Sequence, residues 1–273
     1  MSMKVSFSTL ACPDWTMPQI IAMAARERYD GIELRFVEGE DSLWKLPAFS
    51  GKELASAKLA LGDQALTISC LDTSCRFHAP NAAERKRWIT EGIRMADLAA
   101  ELGAPGLRVF GDAIQPGADR ASTQSWIADS IRELAETTAP RGVDIWIENH
   151  GDFAASAQTA AILQQTASPN VGVVWDPANS FAATNEQPAE SAARLGAAIR
   201  HVHIKDFQRD GEGVKYVLAG EGDFPLLALK RALQGLEYDR FLSFEWEKKW
   251  HPEIADPDIA LPHFARWFRK NYA

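Results

Sequence analysis

The sequence predicts an α/β protein that folds as a single (β/α)8 TIM barrel over residues 1–273. Three observations lead to this fold class. Short runs of β-branched and aromatic residues alternate with segments that repeat apolar residues at helical spacing, the pattern of a buried parallel sheet wrapped by helices. Eight such strand–helix units follow one another along the chain. The length of 273 residues, 46% of them hydrophobic, fits one barrel domain of roughly 250 residues, and no linker divides it.

The first half of the chain supplies four of these units. Strands are predicted at 4–10, 31–36, 65–71 and 106–111, and their helices at 17–29, 50–62, 83–103 and 124–140. The third helix is long and amphipathic, and it closes at Gly103, a residue type that favours helix C-termini because it accepts left-handed backbone angles. The acidic and aromatic segment 37–49 is long enough to form a lid or a wall.

The second half supplies the other four units. Strands are predicted at 143–149, 171–176, 201–206 and 241–247, and their helices at 156–168, 190–199, 224–238 and 258–272. Segment 211–224 is predicted to be a loop before the seventh helix. Its glycine-rich turn carries acidic residues that disfavour phosphate binding, and Asp223 is the expected N-cap of that helix.

Composition and charge exclude several function classes. The net charge of −8 argues against a nucleic-acid partner, because phosphate-binding faces carry excess Lys and Arg. The N-terminus lacks the apolar stretch of a signal peptide, and no apolar run is long enough to span a membrane. Three cysteines, Cys12, Cys70 and Cys75, form an odd set without repeated spacing, which disfavours a disulfide framework. We therefore expect a cytoplasmic protein that acts on a small molecule.

Four residues with metal-binding side chains end successive apolar runs. Glu148, Asp176, His203 and Glu245 are separated by 28, 27 and 42 residues, close to the roughly 30 residues of a strand–helix unit. In such a barrel the C-terminal ends of the strands converge on one mouth, so these side chains can meet there. Three carboxylates and one imidazole suit Mn²⁺, Mg²⁺ or Co²⁺, and the absence of thiolates makes Zn²⁺ a less favoured alternative.

Five motifs, IENHG, WDPAN, HVHIKD, GEGDFP and SFEWE, occur in an order that resembles the sugar phosphate isomerase/epimerase family of xylose isomerase-like TIM barrels. The resemblance covers nearly the whole chain. It implies one divalent metal ion, with Mn²⁺ as the first expectation, and a homo-oligomer, either a dimer or a tetramer. In that family both glutamates bind metal and form an acid/base pair on opposite faces of the sugar. The roles implied here are ligand and base for Glu148 and Glu245, and ligand for Asp176 and His203.

The expected reaction is proton transfer beside a carbonyl. A metal ion that binds a carbonyl and an adjacent hydroxyl acidifies the neighbouring C–H bond by stabilising the enediolate. This favours an isomerase or epimerase of a ketose or keto-sugar derivative. The alternative is a lyase, similar to inosose or dehydroshikimate dehydratases or acting on a keto-glycoside, if the substrate carries a β leaving group.

Two further classes are disfavoured. A DNA-repair nuclease of the same superfamily would need two more metal ions and several more histidines, and Asn179 stands where some relatives carry one of them. A barrel that binds a sugar or metal without turnover would be favoured if either predicted base were missing, and both are present.

Four more polar residues are candidates for substrate contact. His150 and Asn179 lie just beyond strand ends and can hydrogen-bond hydroxyls, although an amide cannot shuttle protons. Lys205 points into the same mouth as His203, where it would hold an anionic oxygen of the substrate or pair with Asp206 or another acid. Arg108 is buried by its sequence context and needs a partner, either a carboxylate ligand or the substrate.

The remaining candidates have competing structural explanations. Glu247 shares a strand face with Glu245, and the family pattern assigns it to the exposed rim. His201 is expected to be a hydrogen-bonded core histidine one layer below the mouth, and surface exposure explains His78 as well as a site role does. Trp15 and Trp44 lie in loops on the catalytic side and are predicted to form an aromatic wall for the substrate.

Overall fold

The structure, a computed structural model, describes residues 3–211 and 213–272, so the ends of the predicted domain, residues 1 and 273, lie outside the described residues. Its strands in chain order are β1 (Lys4–Ser8), β2 (Gly31–Leu34), β3 (Thr67–Arg76), β4 (Gly106–Phe110), β5 (Asp144–Glu148), β6 (Val171–Trp175), β7 (Ile199–Ile204), β8 (Asp206–Asp210), β9 (Gly213–Val217) and β10 (Phe241–Phe244). Its helices are α1 (Met17–Glu27), α2 (Gly51–Asp63), α3 (Ala82–Leu102), α4 (Arg120–Thr138), α5 (Ser156–Thr166), α6 (Pro177–Thr184), α7 (Pro188–Leu195), α8 (Leu226–Gly235) and α9 (Pro257–Asn271).

The parallel strands close into a barrel in the order β1-β10-β7-β6-β5-β4-β3-β2. This confirms the predicted (β/α)8 TIM barrel. The eighth barrel strand is β10, because β8 and β9 form a separate antiparallel pair. The described residues group into two compact units, 3–69 with 201–211 and 213–272, and 70–200.

Aromatic packing forms the core of the first unit. Phe244 on β10 stacks on Phe264 of α9 with ring centroids 4.3 Å apart. The hydroxyl of Tyr29 donates a hydrogen bond to the backbone oxygen of Leu261 at 2.8 Å, which joins the end of α1 to α9. A buried tyrosine hydroxyl needs such an acceptor, because leaving it unpaired would cost about 1–3 kcal/mol. These contacts hold the helices against β1 and β10.

The core of the second unit includes a close approach of a glycine and a tryptophan. Trp146 on β5 lies against Gly106 at the start of β4, where a Cβ atom would come within 2.3 Å of the indole. The same indole packs with Cys70 and Val174. Gly103 ends α3 with φ 72°, as its sequence position predicts. Glycine is therefore required at two neighbouring positions for two different reasons, backbone conformation and space.

The segment predicted as loop 211–224 is only partly a loop, although residue 212 lies outside the described residues. Its first part pairs with β8 as the strand β9. The carboxylate of Asp206 accepts hydrogen bonds from the backbone N–H groups of Gly220 and Gly222 at 2.8 and 3.0 Å, which folds the segment back onto the end of β7. The expectation that Asp223 caps the following helix is wrong, because its carboxylate accepts from the Arg209 N–H and α8 has no side-chain cap.

A second difference is the short helix α6. It begins directly after Asp176, whose side chain caps it, and has Pro177 at its first position. Both features are typical of a helix start. Among the residues described, every helix is too short or too polar to span a bilayer.

Candidate active site

The structure brings the four predicted ligands together. Ligand atoms of Glu148, Asp176, His203 and Glu245 lie within 4.8 Å of one another, and all four residues are buried. Two carboxylates at that distance repel by about 3 kcal/mol at an effective dielectric constant of 20. Three of them therefore need positive charge close by. The oxygen-rich donor set with one imidazole fits a single divalent ion, so these residues are suited to the predicted metal.

Glu148, the last residue of β5, is held by a buried arginine. The Nε atom of Arg108 lies 3.3 Å from Glu148 Oε2, and its Nη2 lies 3.0 Å from Asp72 Oδ2. The guanidinium also stacks on the ring of Phe110, with Cζ 3.9 Å from the centroid. Of the two partners expected for Arg108, the structure shows the carboxylate; its contact with substrate stays a prediction.

The cap of α6 and two asparagines orient Asp176. Its Oδ1 accepts the Asn179 N–H at 2.9 Å. The side-chain amide of Asn149 brackets its backbone, accepting from the Asp176 N–H at 2.7 Å and donating to its carbonyl oxygen at 2.7 Å. The amide of Asn179 donates to Glu148 Oε1 at 3.3 Å. Asn179 thus contacts a proposed base, and its hydrogen bond to substrate stays a prediction.

His203 on β7 lies between two carboxylates of its own unit. Its Nδ1 is 3.3 Å from Glu245 Oε1, and its Nε2 is 3.2 Å from Glu33 Oε2. His201 lies 2.5 Å from the same Glu33 oxygen through its Nε2 and is buried, which confirms it as a hydrogen-bonded core histidine. Burial lowers the pKa of His201 below its ordinary value of 6.5. Its imidazole is therefore a neutral donor at pH 7.

A buried lysine pairs with Glu245 and its neighbour Glu247. Lys205 Nζ lies 2.6 Å from Glu245 Oε2 and 2.8 Å from Glu247 Oε1. Burial acts to raise the pKa of Glu245, but His203 and Lys205 outweigh it and hold the pKa well below 4.5. The expectation that Glu247 is an exposed rim residue is wrong. Its side chain is only 12% exposed, because it turns inward to pair with the buried ammonium of Lys205.

His150 is oriented by an aspartate that has a left-handed backbone. Its Nδ1 lies 3.2 Å from Asp112 Oδ1, and Arg76 Nη1 lies 3.1 Å from the other carboxylate oxygen. Asp112 has φ 59°, an uncommon value for a residue other than glycine. The imidazole is 43% exposed, so its predicted contact with substrate remains open to test. His78, by contrast, is buried, and its Nδ1 accepts the N–H of Ala113 at 3.1 Å.

The two predicted wall tryptophans lie in different parts of the first unit. Trp15 lines a cavity of about 330 Å³ together with Cys12, Lys248 and Lys249. Trp44 lies in a short turn, with the Lys45 ammonium 5.6 Å from its ring. Neither contact involves a predicted ligand, so an aromatic wall against substrate stays a prediction.

Sequence reasoning missed Glu33, Asp72 and Asn149. Glu33 and Asp72 are acidic residues inside otherwise apolar strands, and such residues are buried only when paired. That signal is present in GIELRF and TISCLD. Asn149 had no comparable signal, because its partners depend on the neighbouring strand end.

The comparisons agree with this fold. The family described as xylose isomerase-like TIM barrel matches residues 21–270. No curated protein sequence matches the chain. The IOLI protein, solved with a bound zinc atom, superimposes with a TM-score of 0.83 at 18% identity, covering 99% of both chains.

Two other solved structures are similar to the same degree. The probable 3-DHS dehydratase AsbF of Bacillus anthracis has a TM-score of 0.80 at 18% identity, covering 99% of this chain and 100% of its own. The D-allulose 3-epimerase of a Methylomonas species, in complex with D-allulose, has a TM-score of 0.79 at 18% identity, covering 99% of this chain and 98% of its own. At such identities the likeness shows the fold.

Proposed function

The chain belongs to the xylose isomerase-like TIM barrel family, and from this premise we propose that it is a metal-dependent isomerase or epimerase of a ketose or keto-sugar derivative. The observation that carries the proposal is the four-residue donor set that contains both Glu148 and Glu245. A donor set for a divalent ion that includes two carboxylates able to move protons is what enolisation chemistry requires. The epimerase named among the structural neighbours supports the same class.

In this proposal Glu148, Asp176, His203 and Glu245 would hold one divalent ion, Mn²⁺ first, with Mg²⁺, Co²⁺ or Zn²⁺ as alternatives. When bound, the ion would polarise the substrate carbonyl and so acidify the adjacent C–H bond. One glutamate removes that proton, and the electron pair of the C–H bond moves into an enediolate of the substrate. The second glutamate, which enters the reaction protonated, donates its proton to the opposite face, which inverts the carbon and leaves no net change in composition.

The buried cations prepare the two glutamates for this role. Lys205 and Arg108 contact Glu245 and Glu148 respectively at 2.6 and 3.3 Å. A neighbouring positive charge favours the ionised carboxylate, so either glutamate can act as the base while its partner carries the proton to be returned. We further propose that Lys205, His150 and Asn179 meet substrate oxygens once the substrate displaces part of this pairing.

The second candidate is a lyase that uses the same proton abstraction. It is favoured by His150, which lies two residues beyond Glu148 in the chain. This imidazole is half-exposed and is oriented by Asp112. Elimination needs an acid for the leaving oxygen, and an oriented imidazole is a suitable one. The C–H and β-carbon–oxygen bonds would break, water or an alcohol would leave, and an unsaturated ketone would form. The dehydratase named among the neighbours supports this class to the same extent.

The proposed setting rests on the composition for the substrate and the compartment, and on the family resemblance for the assembly. A small carbohydrate is the proposed substrate, the cytoplasm is the proposed compartment, and a homo-oligomer, dimer or tetramer, is the proposed assembly. Sedimentation of the purified protein would test the last of these.

The deciding experiment is hydrogen–deuterium exchange followed by NMR. Metal-loaded protein is incubated in D₂O with ketoses, sugar phosphates, inososes, dehydroshikimate and 3-keto-glycosides. We expect deuterium beside the carbonyl with wild type and not with Glu148→Gln or Glu245→Gln. Asp144→Asn, at the opposite end of the strand that carries Glu148, is the matched control and should retain exchange. An epimer identifies the first reaction and an unsaturated ketone the second; absence of exchange despite stoichiometric metal would contradict both.

A further inference from the structure

A single buried carboxylate contacts both histidines of β7. Glu33, on β2, is fully buried. Its Oε2 lies 2.5 Å from Nε2 of His201 and 3.2 Å from Nε2 of His203. All three residues belong to the same unit of the barrel. Nothing in the proposed proton transfer uses Glu33, so its position calls for a separate explanation.

The hydrogen-bonding chemistry fixes which ring nitrogen of His203 carries a proton. An ionised carboxylate can only accept, so the nitrogen that faces Glu33 must donate. That nitrogen is Nε2, and a neutral imidazole protonated there has its lone pair on Nδ1. Nδ1 is the atom that lies 3.3 Å from Glu245 Oε1. A divalent cation bound by both atoms would use the Nδ1 lone pair and the carboxylate oxygen together.

We propose that Glu33 is a positioning residue that holds His203 as its Nε2–H tautomer and directs Nδ1 to the metal ion. This inference rests on the proposed function for the presence of the ion. His201 has a supporting part, because its N–H donates to the same oxygen and fixes the carboxylate against rotation. A carboxylate on the distal nitrogen also makes an imidazole a stronger ligand.

The other reading of the same residues is a second metal site, since donor atoms of Glu33, His201 and His203 lie within 4.8 Å of one another. The geometry favours the positioning role. Both histidines direct Nε2 at one oxygen of Glu33, and the 3.2 Å distance from His203 is typical of a hydrogen bond. A metal held there would require Nε2 of His203 without its proton, which would shift that proton to Nδ1 and remove His203 from the four-residue donor set.

The first test reads the tautomer directly. Zinc is used as a diamagnetic probe, and long-range ¹H–¹⁵N correlation spectra are recorded on the zinc-loaded wild type. We expect one zinc ion per chain and His203 protonated at Nε2. A His203 protonated at Nδ1, or a second zinc ion that disappears in Glu33→Gln, would overturn the proposal.

The second test compares zinc affinity by competition with a chromophoric chelator. Glu33→Met removes the acceptor at similar volume and should weaken binding about 10- to 100-fold, the usual effect of losing such a partner. Glu33→Gln keeps one acceptor oxygen, so its zinc affinity should lie between those of wild type and Glu33→Met. Leu34→Met, buried on the same strand, controls for packing and should bind as wild type does.

Zinc affinity can be measured without turnover, so failure of the positioning role and failure of the proposed reaction can be distinguished. Unchanged zinc affinity in folded Glu33→Met refutes the positioning role and leaves the proposed reaction intact. Weakened affinity together with a wild type that exchanges no substrate proton refutes the reaction alone. Thermal unfolding of each metal-free variant establishes that it is folded before the affinities are compared.

Discussion

Replacing Lys205 with methionine is expected to destabilise the protein strongly. The change keeps the length of the side chain and removes the ammonium that lies 2.6 Å from Glu245 and 2.8 Å from Glu247. Lys205 and Glu245 are 4% and 6% exposed, so water cannot replace the lost charge. The variant therefore retains two buried carboxylates that have lost their shared cation.

The size of the effect follows from burial. Removing one partner of a buried ion pair costs about 3–5 kcal/mol, because the remaining charge is uncompensated. An exposed pair contributes about 0–1 kcal/mol. Lys86 and Glu133 form such a pair, with side chains 63% and 48% exposed, and Lys86→Met is the matched control. For a chain of this size the Lys205 variant should melt about 10 °C lower.

Urea unfolding of the metal-free proteins, at pH 7 and at pH values down to 4, measures the free energy of unfolding. The pKa of Glu245 in the folded protein lies well below 4.5. Its ion pairing therefore stabilises the fold at pH values above the pKa that Glu245 has in the unfolded chain. This stabilisation is lost as the pH falls through the pKa of Glu245 in the folded protein. The difference in the free energy of unfolding between wild type and Lys205→Met should shrink below about pH 4.5. A loss at pH 7 no larger than that of Lys86→Met would refute the reasoning.

Two further predictions concern single positions in the two units. At Gly222 a Cβ atom would lie 2.1 Å from Asp206 Oδ1 and 2.5 Å from the Phe207 carbonyl oxygen. In urea unfolding, Gly222→Ala should therefore lower the free energy of unfolding by about 1–3 kcal/mol through overpacking. Gly213→Ala, where the nearest atom to the new Cβ lies at 3.6 Å, should lower it less. Equal losses would contradict this account. Burial lowers the pKa of His78 below 6.5 despite the opposing charge of Asp112. The folded protein then binds fewer protons than the unfolded chain, so the contribution of His78 to stability is fully present above pH 6.5 and declines as the pH falls. His78→Gln should flatten that decline in the free energy of unfolding. An unchanged slope between pH 7 and 5 would count against a buried neutral imidazole.

The barrel could be predicted because its signals are local. Apolar periodicity located each barrel strand within a few residues, and Glu148 and Asp176 could be identified because each lies at the end of such a run. The strand order then required no further information, since consecutive strands in this fold are neighbours. The helix α6 could have been found as well, because Asp176 and Pro177 form a recognisable helix start.

The contacts that sequence reasoning missed depend on residues far apart in the chain. Glu33 is 168 positions from His201, and no local pattern connects them. The hairpin β8–β9 escaped detection for a related reason. Its turn depends on Asp206, which accepts hydrogen bonds from backbone N–H groups 14 and 16 residues later. A pattern of alternating hydrophobicity cannot predict such bonds. The sequence alone assigns Glu247 to the rim, because its lysine partner lies on another strand.

The four proposed ligands divide into two kinds by what holds them. Glu148 and Glu245 each contact a buried cation, Arg108 and Lys205 respectively. Asp176 is held by the N–H of Asn179 at the start of α6 and by Asn149. A cation competes with a metal ion for carboxylate charge, so it weakens the bond of that carboxylate to the metal.

A weakened bond is useful only in a ligand that must also move a proton. His203, which would bind the ion without moving a proton, has the opposite arrangement. Its distal nitrogen faces the carboxylate of Glu33, which strengthens the imidazole as a ligand. The electrostatics therefore favour two glutamates that exchange protons and two firmly held residues, Asp176 and His203, that keep the ion in place.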